Sequence, residues 1–186
     1  MINSEINSDV VLTDFLDDPD QAGVLQFLVE WVSESVEAAH DHVADHYQGQ
    51  GSTLIARLDQ AVAGLVTLRW TSRNPAFAER DIPLVHQLMV APRFRRQAIA
   101  TTLMDAAEDL AARRGRKAVG ITVGLFDEYG PAQRLYAKRG YLPDGRGACQ
   151  GLTPLHEGQP VTMDHTLILW LTKDLTNLAA PSGADS

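Results

Sequence analysis

Two apolar strand patterns alternate with two helical patterns between residues 84 and 140, and this order constrains the fold more than any other feature. The segment LVHQLMV is typical of a short strand that Pro92 ends, and AVGITVGL of a buried strand. Apolar residues at helical spacing predict a helix between them that ends near Gly115. A second helix, PAQRLYAKR, ends at Gly140. A strand, a helix and a strand in this order predict a crossover between two parallel strands.

The flanking segments extend this crossover into a larger sheet. STLIARLDQAVAGLVTLRW predicts two antiparallel strands with a tight turn near Asp59 and Gln60 and with Gly64 inside the second strand. HTLILWLTK predicts a late antiparallel strand, and one long or two shorter helices are expected after Asp20. The predicted fold class is therefore α/β, a single domain over residues 1–175 with a central mixed β-sheet and helices on both faces. Residues 176–186 are expected to form a disordered tail.

Composition excludes several classes of protein. Charged residues at 22% and apolar residues at 45% of the 186 positions are ordinary for a soluble globular chain. The formal charge of −8 argues against nonspecific nucleic-acid binding, which requires Lys and Arg to neutralise phosphates. No apolar run approaches the roughly 18 residues that span a bilayer, and we identify no signal peptide. One cysteine, Cys149, cannot form an internal disulfide, so a cytoplasmic location is expected.

Charge is distributed unevenly along the chain. Residues 1–50 contain eleven Asp and Glu and no Lys or Arg, whereas residues 93–117 contain seven basic residues and three acids. Such asymmetry favours partners of opposite sign at different places on the surface. Ordinary charged helix faces would produce a similar pattern, so both interpretations stay open at this point.

The segment RFRRQAIATTLM connects the end of a predicted strand to the start of a predicted helix. The first turn of a helix leaves backbone N–H groups without partners and favours an anion. Arg95 and Arg96 oppose the helix dipole there, at a cost of a few tenths of a kcal/mol to about 1 kcal/mol each, unless an anion is bound. A phosphate-binding loop and an exposed basic loop are both compatible with this segment alone.

Together with AQRLYAKRGY downstream, this segment resembles the GNAT superfamily of acetyl-CoA-dependent N-acetyltransferases. Arg95, Ala98 and Ala100 occupy the fixed positions of that family's phosphate loop. Its second motif is matched by Ala132, Leu135, Tyr136, Gly140 and Tyr141. The resemblance covers about residues 52 to 172. It implies a GNAT-like fold, in which the parallel strands splay apart and the pantetheine arm of the cofactor pairs with one of them.

The resemblance implies that acetyl-CoA is the co-substrate and that no metal is needed. It assigns contacts with acetyl-CoA to Leu88, Met89, Val90, Arg95, Arg96, Gln97, Ala98, Ile99, Ala100, Thr101, Tyr129 and Ala132. Backbone N–H groups of residues 88–90 would also stabilise the oxyanion that forms as the amine attacks the thioester.

Two positions depart from the family pattern. Ala98 replaces the first glycine of the loop. We expect alanine to accept helical φ there at little cost, with weakened or shifted pyrophosphate binding rather than its loss. Tyr129 stands where the family often has Asn, which puts one side-chain contact with the pantetheine arm in question.

The resemblance places the general acid at Tyr136, which would protonate the leaving thiolate; the alternative is a half-buried tyrosine that packs on the sheet. His86 is the candidate base for an amine with a pKa near 10.4, or the anchor of a water chain; the alternative is a satisfied core histidine. His40, His42 and His46 include a metal-like spacing, but surface placement is expected. For Cys149 we expect an inert free thiol.

In this family the N-terminal helices help to form the acceptor side, so the acidic residues 1–50 favour a cationic acceptor. The leading hypothesis is acetyl transfer to a primary amine of a small molecule, directly and in a ternary complex. The alternatives are a protein or peptide acetyltransferase, acting on an N-terminus or a lysine, and a non-catalytic acyl-CoA-binding module. We expect no nucleic-acid or membrane partner, and dimerisation stays open.

Overall fold

The structure is a computed structural model that describes residues 10–177, and it contains five α-helices and eight strands within that range. The helices are α1 (Gln21–Trp31), α2 (Val36–Ala44), α3 (Pro75–Ala78), α4 (Ile99–Arg113) and α5 (Gly130–Lys138). The strands are β1 (Val11–Asp14), β2 (Gly51–Leu58), β3 (Ala61–Arg69), β4 (Leu84–Val90), β5 (Ala118–Gly124), β6 (Leu142–Gln150), β7 (Thr153–Pro154) and β8 (Leu167–Asp174). These elements form two compact units. The first contains the described residues up to Trp70 and Val85–Leu110, and the second contains Thr71–Leu84 and the chain from Ala111.

The sheet of the first unit has the strand order β1-β2-β3-β4. Strands β1 and β2 are antiparallel, as are β2 and β3. Asp59 and Gln60 connect β2 to β3 with φ values of 50° and 68°, the left-handed conformation that a two-residue hairpin turn requires. The tight turn predicted at these two residues is therefore confirmed.

Gly64 allows β3 to approach β4 closely. A Cβ atom at position 64 would lie 2.6 Å from the carbonyl oxygen of Met89 and 3.1 Å from the Val90 side chain. The backbone N–H of Ala91 donates to the carbonyl of Ala63 at 3.0 Å, so a hydrogen bond next to this contact holds the two segments together. A glycine inside a strand marks such an approach.

Two separate helices follow Asp20. The carboxylate of Asp20 caps α1 by accepting from the Gly23 N–H, and the Ser35 hydroxyl caps α2 by accepting from the Ala38 N–H. The apolar faces of both helices join the core of the first unit, which includes Phe15, Val24, Leu28, Val43 and Ile55. Of the two sequence-based alternatives, the pair of shorter helices is correct.

The second unit contains the strand order β5-β8-β6-β7, with antiparallel pairing of β8 to β5 and of β6 to β8. Its core includes Phe77, Ile82, Cys149 and Trp170. Burial raises the pKa of the Cys149 thiol, and nearby Arg146 only partly opposes this effect. The cysteine is therefore free and chemically quiet, as expected.

The predicted fold class, α/β with a mixed sheet and a parallel strand pair, is confirmed. Strands β1, β6 and β7 and the short helix α3 were not predicted from the sequence. The domain bounds remain a prediction. Of the proposed tail at 176–186, residues 178–186 lie outside the described residues.

Candidate active site

The loop before α4 has the backbone shape of an anion-binding site. Residues 95–98 are exposed, and α4 starts directly after them at Ile99. The first helical hydrogen bond runs from the Thr102 N–H to the Ala98 carbonyl, so the preceding N–H groups of the first turn lack helical partners. The Arg95 side chain donates from Nε to the Val90 carbonyl at 3.3 Å, which ties the loop to the end of β4. An exposed helix start with two arginines beside it is suited to a pyrophosphate.

The expectation that Ala98 has helical φ is wrong. Ala98 has φ = 61° and Arg96 has φ = 64°, both in the left-handed region. Alternation of left-handed with other conformations turns successive N–H groups inward and forms an anion-binding concavity. The loop therefore keeps the shape that glycine would give it, although alanine costs about 1 to 2 kcal/mol in this conformation.

Replacing Ala98 by glycine is expected to raise the free energy of unfolding by about 0.5 to 1 kcal/mol. The removed strain exceeds the added backbone entropy of the unfolded chain. Binding of CoA should be equal or tighter, because the loop conformation is unchanged. Denaturant unfolding and isothermal titration with CoA measure the two effects.

Ala100→Gly is the matched control, since Ala100 lies inside α4 with helical geometry. Glycine there should lower stability rather than raise it. A clear loss of CoA affinity or of stability in Ala98→Gly would show that the loop does not hold phosphate in this conformation.

Strand β4 carries the residues assigned to the pantetheine arm and the candidate base. Leu88, Met89 and Val90 are half-buried, whereas the His86 side chain is exposed. His86 is therefore not a buried core histidine, which removes the main structural alternative to a functional role.

The imidazole of His86 stacks on that of His42 from α2, with ring centroids 5.7 Å apart and an interplanar angle of 27°. Burial, and after it the charges of His86, Arg69 and His46 in that order of effect, together lower the pKa of His42 from 6.5 to about 4. His42 is consequently neutral at physiological pH. The stacked pair places at least one uncharged imidazole beside β4.

The expectation that the histidines of the first helical region lie on the surface is only partly right. His40 is exposed, but His42 is half-buried and His46 is only 2% exposed. A 3₁₀ turn at Asp45–Gln48 follows α2 and directs His46 into the core, where its ring meets Phe15 edge-on.

Two threonines, Thr67 and Thr53, connect His42 to His46 in a continuous chain of hydrogen bonds. His42 Nε2 lies 2.9 Å from Thr67 Oγ1, Thr67 Oγ1 lies 2.8 Å from Thr53 Oγ1, and Thr53 Oγ1 lies 2.5 Å from His46 Nε2. We refer to His42, Thr67, Thr53 and His46 as the His–Thr chain. Neither threonine was predicted from the sequence as a functional residue. The sequence feature that could have indicated them is the presence of a threonine on each strand of the predicted hairpin.

Tyr136 on α5 has the properties of a proton donor. Its side chain is 6% exposed, and its ring lies 5.8 Å from that of Tyr141. Burial raises the pKa of its phenol well above the usual value, and neighbouring Tyr129 adds to the shift. The hydroxyl is protonated at neutral pH, the form that a general acid needs.

Tyr129, where the family often has Asn, contacts other side chains of the second unit. Its hydroxyl forms a hydrogen bond of 3.1 Å with His165 Nδ1, and its ring packs edge-on against Phe126. Gln133 instead donates to the carbonyl of Gly124, at the end of β5. Ala132, the first residue of the second motif, is half-buried on α5.

A cleft of about 270 Å³ lies between α1 and the segment that precedes the phosphate loop. Its lining includes Phe27, Glu30 and Trp31 from α1 and Pro92 and Arg93 from the chain after β4. The lining thus combines two aromatic rings with one carboxylate and one guanidinium group.

Part of the acidic N-terminal segment is neutralised within the fold. Asp18 is buried and forms a salt bridge of 2.7 Å with Arg57. Burial raises the pKa of Asp18, but hydrogen bonds from Arg57 and Thr13 outweigh burial and hold it below the usual value. The negative charge available to a ligand therefore comes from other carboxylates of this segment.

Comparison with known proteins identifies the family of this chain. The model of the acetyltransferase (GNAT) family matches residues 17–141, and the chain belongs to that family. A comparison with curated proteins gives no match.

Three solved structures are similar in fold. A GNAT acetyltransferase from Desulfovibrio desulfuricans is 14% identical, with 90% of this chain and 99% of that chain covered and a TM-score of 0.66. Ard1 from Thermoplasma volcanium is 15% identical, with coverages of 89% and 97% and a TM-score of 0.64. A GNAT acetyltransferase from Elizabethkingia anophelis with acetyl-CoA bound is 15% identical, with coverages of 90% and 99% and a TM-score of 0.58. At these identities the likeness shows the fold.

Within residues 10–177 no helix has the length and apolar character needed to cross a bilayer. In the same part of the chain, no group of three or more His, Cys, Asp or Glu side chains could hold a metal ion.

Proposed function

We propose that this chain transfers the acetyl group of acetyl-CoA to a primary amine of a small cationic molecule, directly and in a ternary complex. The observation that carries the proposal is the exposed imidazole of His86 stacked on the neutral imidazole of His42. An amine must lose protons to become an amide, and a neutral imidazole is the side chain best suited to accept one.

The binding of acetyl-CoA is assigned to the phosphate loop and to β4. Arg95, Arg96 and the first turn of α4 would hold the pyrophosphate, and the backbone of residues 88–90 would hold the pantetheine arm. When bound, acetyl-CoA supplies the thioester that the amine attacks. Tyr136 would donate its phenolic proton to the departing thiolate.

The acidic character of the first unit supports a cationic acceptor. Glu30 lines the cleft beside α1 together with Phe27 and Trp31. Glu34, Glu37 and Asp41 follow on α2 or just before it, and no Lys or Arg occurs before residue 57. Such a surface attracts polyamines and similar amines and repels anionic substrates. We place the protein in the cytoplasm, where acetyl-CoA is available.

The test is release of CoA by the purified chain supplied with acetyl-CoA and a panel of amines. The panel contains spermidine, an aminoglycoside, an uncharged-tail monoamine and a peptide with a basic N-terminus. We expect thiol release above background with at least one of the cationic small molecules. Release with the peptide alone would identify a protein acetyltransferase, and CoA binding without release in any arm would identify a binding module.

A further inference from the structure

The His–Thr chain is a buried polar path that the acetyltransferase fold does not need for packing. Thr53 and Thr67 are fully buried and pair directly across β2 and β3. Two apolar side chains at these positions would fill the space without requiring partners. The hydroxyls instead connect two imidazoles whose residues are four positions apart along the chain.

We propose that the His–Thr chain is a proton relay, in which His42 receives the proton that the acceptor nitrogen loses and the charge moves through Thr67 and Thr53 to His46. This proposal rests on the proposed function, since it assigns a task to residues beside His86. His42 is the entry because it is half-buried and contacts the exposed His86 ring, whereas His46 is enclosed.

The hydrogen bonds allow two orders of protons along the chain. In the first order, His42 Nε2–H donates to Thr67, Thr67 donates to Thr53, and Thr53 donates to His46 Nε2. In the second order, every one of these bonds is reversed. Each threonine hydroxyl donates one bond and accepts one in either order, so both orders are fully hydrogen-bonded along the path.

Transfer of one proton converts the first order into the second. An N–H bond of the acceptor breaks as its C–N bond forms, and the electron pair stays on nitrogen. The proton binds His42 Nδ1, the Nε2 proton of His42 passes to Thr67, the Thr67 proton to Thr53, and the Thr53 proton to His46 Nε2. His42 ends neutral and His46 ends as an imidazolium, so one proton and one charge have moved. The proton returns to solvent through the same path.

The charges around the two imidazoles favour this direction. His86, Arg69 and His46 all disfavour a cation on His42. Burial and Arg69 also disfavour a cation on His46, but Asp14 and Asp45 favour it. Burial disfavours a cation on both imidazoles, and among the named charges only the carboxylates near His46 favour one, which directs the charge toward His46. His46 Nδ1 is buried and has no hydrogen-bond partner among the described residues, so it does not help to stabilise that charge.

A low basicity at the entry suits the chemistry. A nitrogen that is forming a bond to a carbonyl carbon is far more acidic than a free ammonium ion. A neutral imidazole can therefore accept the proton of that nitrogen at this stage, although the same imidazole could not efficiently deprotonate a free ammonium ion of pKa near 10.4.

The test compares Thr67→Val, which removes the central hydroxyl, with Thr67→Ser, which keeps it. The first measurement is an imidazole ¹⁵N NMR titration of the full chain between about pH 3 and pH 8, a range that includes the lowered pKa of His42, about 4. In the wild type and in Thr67→Ser, His42 and His46 should share one midpoint, because the added proton is distributed over the pair. In Thr67→Val, the two midpoints should separate. Separate midpoints in the wild type, or no change in Thr67→Val, would overturn the relay.

The second measurement is acetyl transfer to the fastest acceptor of the amine panel, as a function of pH. Thr67→Val should lower kcat about 10-fold, with KM for acetyl-CoA unchanged, and Thr67→Ser should stay near the wild type. Equal kcat values in the two variants would contradict the relay. If the wild type acetylates no amine, the proposed function fails, and the titration alone decides whether the relay exists. Thr53→Val and Thr53→Ser break and keep the next link, so a poorly folded Thr67→Val does not end the test.

Discussion

Replacing Tyr136 by phenylalanine is expected to lower kcat by about 10²-fold or more, while CoA affinity stays within about 2-fold of the wild type. The change removes one hydroxyl from a side chain that is 6% exposed and keeps the ring that packs against Tyr141. The phenol carries its proton at neutral pH even at its ordinary pKa near 10. Burial raises that pKa further, so the proton is held until a thiolate departs beside it. Stopped-flow or steady-state measurement of CoA release, with CoA binding by titration calorimetry, separates the two quantities.

Tyr141→Phe is the matched control, because it removes a hydroxyl from the neighbouring buried ring. Its kcat should remain near that of the wild type. If Tyr136→Phe retains full kcat, the buried phenol serves packing on α5, and another group or water protonates the thiolate.

Lowering the pH from about 7 to about 5 is expected to reduce the free energy of unfolding by about 2 kcal/mol through His42 alone. The pKa of His42 is about 4 in the folded protein, and its ordinary value is 6.5. Between these values the unfolded chain binds a proton that the folded chain does not. The stabilising contribution is therefore complete above pH 6.5 and is lost as the pH falls toward 4.

His42→Gln isolates this contribution, since an amide can still reach Thr67 but does not titrate. Urea unfolding of both proteins across the same pH range gives the difference. Protonation of carboxylates, including Asp18 with its lowered pKa, reduces the free energy of unfolding of both proteins equally, so this contribution cancels in the difference. Parallel pH profiles for the two proteins would show that His42 titrates normally and is not desolvated.

Strand β6 shows how tertiary pairing overrides local sequence. Its segment LPDGRGACQ contains a proline and two glycines with φ values of 97° and 72°, which are unfavourable features for a strand. Pairing with β8 nevertheless holds it in the sheet, with a register irregularity between Pro143 and Ala148. No local pattern could predict this strand, because its stability comes from a partner far along the chain.

For the candidate phosphate loop at residues 95–98, the sequence predicted the position but not the backbone conformation. The position of residues 95–98 between a strand and a helix follows from local patterns. The left-handed conformation of Arg96 and Ala98 does not, because neither residue type prefers it. Only the surrounding fold imposes such a conformation on a residue with a Cβ atom.

The sequence alone determined the family, the order of the central strands and helices, the turn at Asp59 and Gln60, and the candidates Tyr136 and His86. All of these depend on periodicity, turn chemistry or motifs within short segments. The tertiary structure decided the His–Thr chain. A continuous two-residue hairpin would pair Thr53 with Val66, but a register shift between Ala56 and Arg57 places Thr53 opposite Thr67. A shift of one residue changes which side chains meet across the strands, and such a bulge is set by long-range packing rather than by the residues beside it.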